Sequence, residues 1–96
     1  MTLRTARRNL QRAFPIGRRV IVTREDEDDG AMGTAWMDGD TIRINVAPSL
    51  PDEEVHTLAN EWAHARIYDR HGKQRGRHGM ELAREFAAIY RHFFDA

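Results

Sequence analysis

The sequence predicts an α+β domain, and three observations carry that prediction. Apolar residues recur at helical spacing near both ends and in the middle of the chain, short β-prone stretches lie between the first two of these segments, and a glycine-containing turn joins two of the stretches. The expected arrangement is an N-terminal helix, a small and mostly antiparallel three-stranded sheet, and two C-terminal helices packed on that sheet. Ninety-six residues are too few to divide into separate cores, so residues 1–96 read as one domain. A composition of 41% hydrophobic and 31% charged residues fits a globular chain and excludes disordered and fibrous classes. There is no run of eighteen apolar residues, so no membrane-spanning helix is expected. The first residues carry arginines without the apolar stretch of a secretory signal, which reads as a cytoplasmic chain.

Thr2 is placed to cap a first helix, in which Leu3, Ala6, Leu10, Ala13 and Phe14 recur at helical spacing; Pro15 and Gly17 end it. All seven charged side chains from Met1 to Arg24 are arginines. A solvated helix face is the plainer reading of them, and a surface that meets phosphate or an acidic partner is the sharper one. Arg19 to Arg24 has strand character through Val20, Ile21 and Val22, and the acidic run Glu25 to Asp29, closed by Gly30, reads as a solvated loop. That run lacks the alternating ligand spacing of a calcium loop. Gly33 to Met37 and Thr41 to Val46 read as strands joined through Asp38, Gly39 and Asp40. Alternation puts Ile42, Ile44 and Val46 on one face of the second strand and Arg43 and Asn45 on the other.

Ser49 is the expected start of the central helix, close to a capping box with Asp52. Pro51 sits in its first turn, with Asp52, Glu53 and Glu54 where the helix dipole favours negative charge. Val55, Leu58, Ala59 and Trp62 form its apolar stripe, with Asn60, Glu61 and His64 away from the centre of that stripe. The helix should run to about Arg70 and stop near Gly72. Arg66 to His78 is basic and glycine-punctuated, and its second half reads as a loop. A last helix after Gly79 carries Leu82, Phe86, Ile89, Tyr90 and Phe93 on one buried face.

The segment with most chemistry in it is TLANEWAH, Thr57 to His64. Residues 60 and 64 lie one turn apart on one helix face, with Glu61 beside them. This is the geometry of the H-E-x-x-H helix, in which two imidazoles hold zinc and the glutamate serves as general base. The first histidine is here Asn60. With no cysteine in the chain, histidine and carboxylate are the only plausible zinc ligands. His56 stands two turns from His64, about 12 Å by helix rise, and cannot replace position 60. His56, His71 and His92 read as solvated or helix-capping residues.

The stretch Val55 to Phe94 resembles the SprT-like zinc metallopeptidases, particularly the short domains of phage genomes. That family's helix reads close to HEWAHA and is followed by HG-x-E opening an aromatic-rich helix. The matching strings here are NEWAHA, Asn60 to Ala65, and HGME, His78 to Glu81, followed by AREFAAIYRHF; GTAWMDGDTIRIN also looks like the family's hairpin. The resemblance implies a zincin-like fold, Zn2+ held at Asn60, His64 and His78, and Glu61 as general base on a metal-bound water that attacks a peptide carbonyl. His64 and His78 are then expected to approach within reach of one ion. The strand Thr41 to Val46, with Ile44 and Asn45 as substrate contacts, is expected to pair its edge with an extended peptide or protein substrate. Asn60 departs from the pattern: an amide oxygen is a neutral, hard donor that suits zinc poorly, so zinc binding and activity are expected to be impaired. Two other readings stay open. One is a non-catalytic module that holds DNA weakly through the first helix and Arg66 to Arg77; the other is an interaction protein with a histidine-rich loop. Intact Glu61, His64 and His78 favour the metallopeptidase.

Overall fold

The computed structural model describes residues 1–72 and 79–94. Along the chain the elements are α1 (Leu3–Ala13), β1 (Val20–Thr23), β2 (Gly33–Asp38), β3 (Thr41–Val46), α2 (Pro51–His71) and α3 (Gly79–Phe93). The α+β arrangement is the expected one. α2 lies across β2 and β3, and α1 and α3 pack against α2. No helix among the described residues is long and apolar enough to cross a membrane.

The sheet is mixed rather than mostly antiparallel. Its order is β1-β3-β2, with β1 parallel to β3 and β2 antiparallel to it. The cause lies in the acidic segment after β1. Thr23 at the end of β1 is level with Asn45 of β3, and the chain then crosses the end of β3 to start β2 opposite Val46. β2 runs back, turns at Gly39 with φ +61°, and returns as β3 in the direction of β1. Asn45 holds the crossing segment down. Its Nδ2 donates to Glu25 O at 2.9 Å and to Glu27 Oε2 at 2.8 Å, while its Oδ1 accepts from Glu25 N at 3.0 Å and Thr23 Oγ1 at 2.8 Å. Thr34 Oγ1 also donates to Glu27. Asp26, Asp28 and Asp29 face solvent as expected, whereas Glu27 is half-buried.

The core lies between the helix-facing side of the sheet and the helices. Ile42, Ile44 and Val46 of β3 and Leu58, Trp62, Ala63 and Ala65 of α2 are fully buried, together with Ala6 and Leu10 of α1 and Ile89 of α3. Trp62 donates from Nε1 to Phe14 O at 2.9 Å, which ties the end of α1 to α2 and satisfies both groups. α1 begins as expected, with Thr5 N donating to Thr2 Oγ1 at 3.2 Å. α2 does not begin at Ser49: Leu50 is its N-cap and no side chain caps it. Glu54, buried behind Arg24, accepts instead from Ser49 N at 3.3 Å, and Arg24 Nε donates to Glu54 Oε1 at 2.5 Å. α2 ends at Gly72, whose φ of +68° is readily adopted by glycine.

Candidate functional site

α2 carries Asn60, Glu61 and His64 past the start of β2, and Gly33 makes that approach possible. A Cβ at position 33 would stand 2.6 Å from Thr57 Cγ2, 2.9 Å from Asn45 O and 3.2 Å from Glu61 Cγ. A glycine inside a strand often marks such a close approach. It allows the Glu61 side chain to lie directly over the first residue of β2. Glu61 is buried, at 8% exposure. Its carboxyl makes no hydrogen bond within the described residues, and the same holds for the side chains of Asn60 and His64, both half-buried.

The electrostatics of these groups follow from their burial. Desolvation, and secondarily the nearby charge of Glu27, pushes the Glu61 carboxyl above the usual carboxylate range. Burial lowers the pKa of His64, which keeps its imidazole neutral. A partly desolvated carboxyl without a hydrogen bond costs more to ionise than one in water. A neutral imidazole one turn further along is in the protonation state a metal requires.

The free edge nearest these residues belongs to β2. β3 was expected to pair with substrate, but it is the central strand, and β1 and β2 occupy its two sides. Ile44 is fully buried under α2 and Asn45 is 4% exposed beneath the acidic segment, so neither is open to a substrate. Alternation placed Asn45 on the face away from the helices correctly; that segment, folded back over it, accounts for the burial. Met32 O accepts from Ala47 N at 2.8 Å, which sets the phase of the β2–β3 ladder. Thr34, Trp36 and Asp38 therefore turn their backbone groups toward β3, and Gly33, Ala35 and Met37 turn theirs outward.

The other histidines have structural partners. His56 Nδ1 lies 2.5 Å from the Tyr90 hydroxyl, and its ring stacks on Phe94 at 4.0 Å, so it joins α2 to α3 rather than facing solvent. His71 Nε2 lies 2.8 Å from Glu81 Oε2. Glu81 also pairs with Arg70, and Glu85 with both Arg66 and Arg70, forming a charged clamp between α2 and α3. Arg70 and His71 hold the Glu81 carboxyl below its ordinary range, the Arg70 hydrogen bond being the largest cause. Exposed His92 sets its ring edge-on to Phe14 at 5.6 Å.

His78 lies outside the described residues, and with it the expected approach of His64 to His78. Among the described residues no three histidine, cysteine or acidic side chains are grouped to hold a metal ion. The described residues contribute one good zinc donor, His64, and one poor one, Asn60, whose neutral amide oxygen suits zinc less well than an imidazole. Comparison with family models, curated proteins and solved structures finds no match for this chain.

Two features of the site escaped the sequence reading. Gly33 was read as the plain start of a strand, although a glycine there was the available signal of helix–strand contact. Glu27 was one of five adjacent acids, and nothing local distinguished it from the others.

Proposed function

We propose that this chain has the scaffold of an SprT-like zinc metallopeptidase, with Glu61 as its general base and with metal binding impaired at Asn60. The observation that carries the proposal is Glu61 itself: a buried residue whose carboxyl has no hydrogen bond among the described residues, next to position 60, three positions before His64, and laid over Gly33, the first residue of an edge strand. Burial moves its pKa toward the range in which a base accepts a proton readily near neutrality. Zinc, where three protein donors hold it, supplies an activated water and polarises the scissile carbonyl. The part assigned to Glu61 is to accept the proton of the attacking water and pass it to the leaving amine. The outward N–H and C=O groups of Gly33, Ala35 and Met37 are suited to align an extended peptide by backbone pairing, beside Glu61. The absence of cysteine agrees with a cytoplasmic location, which is part of the same reading.

The test is Asn60→His. It places a second imidazole one turn before His64 and, with His78, completes three histidines with an open fourth position. Metal content by mass spectrometry should rise from a small fraction to about one zinc per chain, and cleavage of a disordered protein such as casein should appear. Adding Glu61→Gln should abolish cleavage and leave the zinc in place. If Asn60→His binds no more zinc than the parent chain, the proposal fails.

A further inference from the structure

The arginines of α1 and those at the end of α2 differ in their partners. Arg66 and Arg70 are engaged with Glu81 and Glu85 in the α2–α3 clamp. Those of α1 are not. Arg4, Arg7, Arg8, Arg12 and Arg18 line one cleft of about 560 Å³ with Ile16 in its wall. Arg18 is compensated by Asp40 at 3.3 Å and Asp69 at 3.5 Å. Arg7 donates to Val20 O at 2.6 Å, which leaves its charge uncompensated, and Arg4, Arg8 and Arg12 have no carboxylate partner among the described residues. All four are exposed. The acidic segment does not neutralise them: among the described residues none of its carboxylates forms an ion pair with these four arginines, and Glu27 is bonded to Asn45 and Thr34.

We infer that this cleft binds the phosphate backbone of duplex nucleic acid, independently of sequence. Arg4, Arg8 and Arg12 stand four residues apart on one helical stripe, so their positions repeat about every 6 Å over roughly 12 Å. A duplex carries one charge per ~1.7 Å of axis, so that length presents about seven phosphates to four guanidinium groups. Arginine is suited to them because its planar fork bonds phosphate oxygens in pairs. No aromatic ring lines the cleft. Single strands therefore find no stacking platform there, and contacts confined to phosphate carry no base information. The inference does not depend on hydrolysis at Glu61, which lies on the side of α2 that meets β2.

The experiment is fluorescence anisotropy of a labelled random-sequence duplex titrated with the full chain at several salt concentrations. Four phosphate contacts predict a slope of log K against log salt of about −3.6, hence roughly a hundredfold loss of affinity between 50 and 200 mM salt. Arg8→Gln with Arg12→Gln should reduce the slope by about 2 and weaken binding at 50 mM salt at least tenfold, to order of magnitude. Gln keeps comparable helix propensity at these exposed positions, and circular dichroism checks that α1 persists. A matched pair on α3, Arg84→Gln with Arg91→Gln, should change binding less than about threefold, since these side chains lie outside the cleft. Three outcomes overturn the inference: equal losses in the two pairs, no duplex binding at 50 mM salt, or displacement of the duplex by poly-glutamate or phosphatidylserine vesicles at matched charge.

Discussion

Replacing Gly33 with alanine should destabilise the fold and displace Glu61, whose Cγ would stand 3.2 Å from the new Cβ, and two shorter distances set the size of the effect. The added Cβ would lie 2.6 Å from Thr57 Cγ2 and 2.9 Å from Asn45 O. Carbon atoms in packed interiors are comfortable at about 3.5–4.0 Å, so the overlap with the Thr57 methyl approaches 1 Å. Neither neighbour yields cheaply: Thr57 is a β-branched residue buried in α2, and Asn45 O is backbone of the central strand. Overpacking of this kind costs about 1–3 kcal/mol. Alanine recovers about 0.4–1 kcal/mol by restricting the unfolded chain, and φ at position 33 is not positive, so no backbone strain is added. The net expectation is a loss of about 1–2 kcal/mol, or roughly 5–15 °C in Tm for a chain of this size. Urea unfolding followed by tryptophan fluorescence, to which Trp62 contributes a buried signal and Trp36 an exposed one, measures it. Thr57→Ser, which deletes the offending methyl, should rescue part of the loss in the double variant, leaving the Asn45 O overlap. Gly79→Ala, where no described residue lies within 4 Å of the new Cβ, should be neutral or stabilising. A Gly33→Ala chain as stable as the parent would refute the close helix–strand approach on which the site is built.

Two further outcomes follow from the same contacts. Asn45→Ala removes four hydrogen bonds that hold the segment after β1, and should cost about 2–4 kcal/mol while exposing Asp26 to Gly30 to proteolysis and fast amide exchange; unchanged protection there would show that the segment is held otherwise. Glu61 gives a pH signature of definite sign. Its folded pKa is raised, so the native state binds the proton more tightly than the unfolded chain, and stability falls as pH rises from the ordinary glutamate range through the folded value. Glu61→Gln should therefore gain in Tm over the parent at pH 7.5 relative to pH 4, and parallel Tm profiles across that range would contradict the desolvation.

Much of the fold could be read directly because its signals are local. Thr2 capping α1, the Gly39 turn, the apolar stripe Val55, Leu58, Ala59 and Trp62, and the termination of α2 at Gly72 each depend on residues within a turn or two of one another. The cap at Ser49 was misread for a reason of the opposite kind. Glu54 is drawn to Arg24, thirty positions earlier in the chain, and takes up the Ser49 N–H from there.

The sequence by itself determined the class of fold, the helix that carries Asn60, Glu61 and His64, and the chemistry those side chains bring. Periodicity and side-chain type survive any packing of the elements. Only the tertiary structure decided that β1 runs parallel to β3, that the edge strand beside the site is β2 and not the strand of Ile44 and Asn45, and that Arg66 and Arg70 are engaged by Glu81 and Glu85 while the arginines of α1 have no carboxylate partner among the described residues. Each of these depends on which distant segments meet. A carboxylate brought beside a guanidinium changes what both can do, and neither residue's neighbours in the chain record that meeting.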